Sequence, residues 1–148
     1  MKSKLIFVAT VAVFILSLIG CTATEEQAPP KQVSVEVSID DFMNVSTISR
    51  EVEVAKGDTV TVILGSNQTT GFQWSEQAQI GDITILEQTN HKYISPEAGT
   101  QTVGAAGKEE WTFKALKSGT TTVAMEYSRP WEGGEKWVWK FNLTVEVK

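Results

Sequence analysis

Few residues in this chain have the chemistry for catalysis. His91 is the single imidazole and Cys21 the single thiol. One His and one Cys build neither a zinc cluster nor an internal disulfide, and nothing beside His91 in sequence offers a nucleophile or a ligand set, so it reads as a surface residue. Acid pairs stand at Asp40-Asp41 and Glu109-Glu110. Both lie in stretches that read as strand, where adjacent side chains point to opposite faces, so neither pair suits shared acid–base work. Phosphate-loop, calcium-loop and zinc-finger spacings do not occur. Three short segments remain: Gly65 to Phe72, Val103 to Gly107, and Ser128 to Gly134. They hold Thr hydroxyls, glycines that permit tight returns and close backbone approach, and an indole directly after a proline. These are groups that bind rather than react.

The sequence around these segments alternates with period two. Val33, Val35, Val37 and Ile39 share one face, as do Val52 with Val54, and Val60 with Val62 and Leu64. Phe72 with Trp74, Ile83 with Ile85, Trp111 with Phe113 and Ala115, and Val123 with Met125 and Tyr127 continue the pattern. The last stretch is the clearest, with Trp137, Trp139, Phe141, Leu143, Val145 and Val147 on one side. A helix, with its period of 3.6, would scatter these positions. Turn signals at Lys56-Gly57-Asp58, Gly81-Asp82 and Ser118-Gly119 separate the runs. The expectation is an all-β, immunoglobulin-like β-sandwich of seven or eight strands, with Trp74, Trp111, Trp137 and Trp139 in its core. The three segments then join the second strand to the third, the fourth to the fifth, and the sixth to the last. Connections two strands apart emerge at one end of such a sandwich, so the three should cluster.

Composition narrows the partners. The chain has 148 residues and a formal net charge of −5. An acidic surface argues against a nucleic-acid binder, which must neutralise phosphates with Lys and Arg. At the amino terminus Lys2 and Lys4 precede an apolar run from Leu5 to Ile19, too short to span a bilayer but suited to a secretory signal. The run ends in Leu18-Ile19-Gly20-Cys21, which resembles the bacterial lipobox. That resemblance implies residues 1–20 as a lipoprotein signal peptide, lipidation at Cys21, and an exported chain anchored by lipid to the envelope with its domain outside the cytoplasm. Residues 21–31, with Pro29-Pro30, read as a polar tether. Residues 32–148 form the folded domain.

The three segments carry a second resemblance. Asn67-Gln68-Thr69-Thr70-Gly71, Gly104-Ala105-Ala106-Gly107 and Arg129-Pro130-Trp131 stand in the order of the loops of the chagasin-type inhibitors of papain-like cysteine peptidases. That family has Asn-Pro-Thr-Thr-Gly, Gly-x-Gly-Gly and Arg-Pro-Trp on an immunoglobulin-like sandwich. Here Gln68 replaces the proline and Ala106 the inner glycine. The resemblance implies a monomeric inhibitor without cofactor that blocks the peptidase groove. In the loop of Asn67, Thr69, Thr70, Gly71 and Phe72 the two threonines would present hydroxyls over the nucleophile, and Gly104, Ala105, Ala106 and Gly107 would lie along the substrate side. Trp131, pre-set by Pro130, would stack on the far side, with Arg129 reaching a carbonyl or carboxylate of a neighbouring loop. A surface-tethered immunoglobulin-like module that binds carbohydrate or another ligand through exposed aromatics is the alternative. It requires the face of Trp137 and Trp139 to be open.

Overall fold

The computed structural model describes residues 29–96 and 105–148. The signal, Cys21 and Gly104 lie outside them. Among the described residues nine strands run in the order β1 (Gln32–Val37), β2 (Thr47–Val54), β3 (Thr59–Ser66), β4 (Gln73–Trp74), β5 (Gln79–Ile80), β6 (Leu86–Ile94), β7 (Gly107–Ala115), β8 (Gly119–Ser128) and β9 (Trp139–Val147), with a short helix α1 (Ile39–Phe42) after the first. One sheet has the order β1-β3-β7-β6 and the other β2-β9-β8-β4, with β5 also on β8. Pairings β1/β3 and β2/β9 are parallel and the rest antiparallel. The expected two-sheet sandwich is present, and the count of nine includes two strands of only two residues.

Alternation explains the core. Val60, Val62 and Leu64 of β3 and Trp111, Phe113 and Ala115 of β7 face Val123, Met125 and Tyr127 of β8 and Phe141, Leu143, Val145 and Val147 of β9, all buried. Every second side chain of a strand lands on the same face, so the period read in the sequence is the inner face of each sheet. Trp74 and Trp111 are fully buried. At one end the core becomes aromatic: Trp139 stacks on Tyr127 at 4.9 Å and on Phe42 at 5.3 Å, and Trp74 tilts against Tyr127 at 5.1 Å.

Several expectations are corrected. Ile39 and Asp40-Asp41 belong to a helical turn, not a strand. Ser38 caps that turn: its Oγ accepts from Asp41 N–H, and the Asp41 carboxylate accepts from Ser38 N–H at 2.8 Å, a reciprocal capping box. Ile83 and Ile85 lie in the turn before β6, where Ile83 is exposed. The strand in this region is β6, whose half-polar sequence hid it. Trp137 lies outside β9 and is exposed rather than core. His91 is not a simple surface residue: it faces inward on β6, with its ring 4.8 Å from Trp111 and its Nε2 3.0 Å from Glu109 Oε2.

The far end is held by Asp58. Its two carboxylate oxygens accept from the backbone N–H of Lys31 at 2.8 Å and of Ala55 at 2.9 Å, closing the turn around Gly57 and tying the start of the domain to β3. These bonds hold the Asp58 carboxyl below its ordinary 3.8. The unfolded chain therefore takes up this proton first. Stability should fall as pH drops from about 3.8 through the lower folded-state value. Thermal unfolding across pH 2–6 is expected to show a shallower acid limb for Asp58→Asn than for wild type; superimposable limbs would contradict the assignment.

Candidate functional site

The first and third segments, and the described end of the second (Ala105 to Gly107), lie at the aromatic end of the sandwich. Ser66, the last residue of β3, is in register with Gly107, the first of β7, so the loops before and after them emerge side by side. The Tyr127 hydroxyl, near the end of β8, accepts from Asn67 N–H at 2.8 Å and brings the other sheet to the same place. Burial pushes the Tyr127 pKa up, which keeps the phenol neutral.

The first loop is a 3₁₀ turn over Gln68–Thr70. Gln68 occupies its first position, one that the fixed φ of a proline also suits. Thr70 N–H donates to Asn67 O at 3.1 Å and Gly71 N–H to Gln68 O at 3.0 Å. Both Thr hydroxyls turn inward on the loop: Thr69 Oγ1 donates to Asn67 Oδ1 and Thr70 Oγ1 to Asn67 O, each at 2.6 Å. In the free protein both hydroxyl protons brace the loop. Gly71 closes the turn at φ 79°, in the left-handed region.

The third loop packs on the first. Trp131 is about half exposed, and the edge of its indole lies so close to Gly71 that a Cβ there would sit 2.5 Å from Cη2. The Arg129 guanidinium stands 4.3 Å above the Phe72 ring, with Nε and Nη2 each 3.4 Å from the Thr70 carbonyl oxygen. Phe72 in turn stacks on Tyr127 at 5.5 Å. Arg129 thus joins the two loops, and Pro130 presents Trp131 beyond them. Within the third loop Arg129 N–H donates to Glu135 O at 2.8 Å, and Lys136 Nζ donates to the carbonyls of Arg129 and Trp131.

Of the second loop, Ala105, Ala106 and Gly107 are described. Ala106 is exposed and its φ is not positive, so alanine replaces the family glycine there without backbone strain. Gly107 is buried in β7, where a Cβ would meet the Tyr93 hydroxyl and the Ile94 carbonyl. Its missing side chain lets β6 approach β7 closely at the foot of the second loop.

Glu109, set aside in the sequence as half of an unsuitable acid pair, has a structural role here. Glu109 is fully buried beneath the first loop. Its Oε1 accepts from Ser66 Oγ at 2.7 Å and from Trp74 N–H at 3.0 Å, the residues just before and just after that loop. With His91 on Oε2 the carboxylate is fully engaged. Among the described residues, no group of three or more His, Cys, Asp or Glu could hold a metal ion.

A model of the chagasin family of peptidase inhibitors matches residues 53–145, which include all three loops. The chain belongs to the chagasin family. It is 27% identical over 97 residues to amoebiasin-2 of Entamoeba histolytica, covering 66% of this chain and 76% of that one. It is 34% identical over 82 residues to chagasin of Trypanosoma cruzi, covering 54% and 73%. Among solved structures, the cysteine protease inhibitor EhICP2 of Entamoeba histolytica superposes with a TM-score of 0.61 at 21% identity, over 81% of this chain and 99% of that one. PbICP-C, solved in complex with falcipain-2, superposes with a TM-score of 0.52 at 15% identity, over 78% and 99%. Both superpositions show the shared sandwich. As a chagasin-family peptidase inhibitor, this protein is not an enzyme.

Proposed function

We propose that this protein inhibits papain-like cysteine peptidases by seating its loop end in their active-site groove. The observation that carries this reading is the contact of Trp131 with Gly71, reinforced by Arg129 between Thr70 and Phe72. It makes the first and third loops one preorganised wedge, so little ordering remains to oppose binding. In this reading the Asn67–Phe72 turn lies over the peptidase nucleophile. Its backbone is closed by its own hydrogen bonds and stays out of attack geometry. Ala105 and Ala106 lie on the substrate side, where small residues allow backbone to meet backbone. Trp131 supplies the apolar anchor.

The carbohydrate alternative loses its platform. Trp139 stacks inward on Tyr127 and Phe42 while Trp137 is exposed on its own, so the two indoles do not share an open face.

Trp131→Ala should weaken inhibition of papain by about 2 kcal/mol, roughly thirtyfold. Steady-state inhibition kinetics measure it, and a change below threefold would remove Trp131 from the interface. The lipobox supports a tether at Cys21 that holds the inhibitor to the outer side of a membrane, where it meets exported or foreign peptidases. Radiolabelled palmitate should enter the wild-type chain in a bacterial host and not Cys21→Ser; equal labelling would contradict lipidation at this residue.

A further inference from the structure

Trp137 stands in a conformation that tryptophan rarely takes. It is the one non-glycine residue with positive φ among the described residues, at 56°, and it is 60% exposed. The local ladder shows how this arises. Tyr127 is in register with Trp139, yet its carbonyl accepts from Val138 N–H at 3.0 Å. Two residues therefore oppose one, which is the arrangement of a β-bulge. In an unbroken strand Trp137 would share the inner face of Trp139. The extra residue turns it outward instead, toward Lys140, whose Nζ lies 5.5 Å from its ring. Ser128 Oγ accepts Trp137 N–H at 2.9 Å and holds the backbone in place.

The position is as informative as the strain. Lys136, its neighbour, bonds the carbonyls of Arg129 and Trp131, so Trp137 is attached to the stem of the third loop. Strained backbone concentrates where function over-determines it. Here a strained φ and an exposed indole coincide at Trp137, directly before the bulge and beside the wedge. Trp is also among the residue types most enriched at interface hot spots.

We infer that Trp137 is a further contact residue of the inhibitor, with its indole covering an apolar patch on the rim of the peptidase groove alongside the Trp131 anchor. This rests on the wedge reading above, and continuity with that surface is what selects the peptidase as the occupant. Glycine adopts positive φ freely, so Trp137→Gly removes the side chain and the strain together. Its Tm should equal or exceed that of wild type, while its inhibition constant for papain rises about tenfold. An indole serving only the fold would give the reverse: a lower Tm and unchanged inhibition. Trp137→Ala should show a similar loss of inhibition. Ile83→Ala, an exposed apolar position in the turn before β6, should leave inhibition unchanged. Unchanged inhibition by Trp137→Gly overturns the inference while wild type still inhibits; failure of wild type itself overturns the wedge. Sedimentation distinguishes a different occupant: a wild-type dimer that Trp137→Gly converts to monomer, with inhibition unaltered, would assign the indole to self-association and refute the peptidase contact.

Discussion

Gly71→Ala is expected to raise the inhibition constant against papain by about a hundredfold. Two costs act at one atom. The residue holds φ 79°, where an L side chain costs about 1–2 kcal/mol. The new methyl would also stand 2.5 Å from Trp131 Cη2, so the indole must leave its seat on the first loop. Displacing an anchor of this kind costs about 2 kcal/mol. Together they amount to about 3 kcal/mol, or two decades of affinity. The two costs separate in a Trp131→Ala background, where the clash is gone and Gly71→Ala should cost only about tenfold more. Inhibition kinetics on the four proteins measure this. Full additivity would mean that the loops act independently, contrary to their contact. Thermal unfolding run in parallel shows that the domain remains folded.

Glu109→Leu is expected to lower the stability of the domain by about 3 kcal/mol, a fall in Tm of roughly 10 °C. Leucine fills similar space but accepts no hydrogen bonds. It leaves Ser66 Oγ and Trp74 N–H buried without their acceptor, and each orphaned donor costs about 1–3 kcal/mol. It also strips His91 of its partner. Glu109→Gln keeps an oxygen for Ser66 and Trp74 and offers an amide N–H toward His91. It should stay within about 1 kcal/mol of wild type. Calorimetric unfolding of the three proteins decides it: equal losses for Leu and Gln would show that the charge, rather than the hydrogen bonds, holds this place. Because Ser66 and Trp74 flank the first loop, Glu109→Leu should also weaken inhibition, while Glu109→Gln should not.

What was legible in the sequence follows from the range of the forces involved. The inner faces of β3, β7, β8 and β9 were readable because apolar residues recur at every second position. The loop cluster was readable because Gly, Thr, Pro and Trp interrupt that repeat at three places. The strand β6 was not, because it is an edge strand whose residues are mostly exposed or half-buried, so apolar alternation is faint. Helix α1 is a single turn, too short for a helical stripe, although Ser38 and Asp41 at capping-box spacing marked it. Trp137 was misplaced because one extra residue in a ladder reverses a face, and periodicity cannot see a bulge. The Glu109–His91 pair is a diagonal contact between neighbouring strands, with His91 opposite Trp111 and Glu109 opposite Tyr93. It depends on register, which no local spacing announces.

The most direct measurement is a calorimetric titration of the protein into two forms of papain, one native and one whose groove is filled by a covalent peptide inhibitor bonded to the catalytic thiol. A wedge seated in the groove requires one-to-one binding to the native enzyme and none to the filled one. Equal binding to both would place the interface elsewhere on the peptidase, and the convergence of Gly71, Arg129 and Trp131 would then have no part in inhibition.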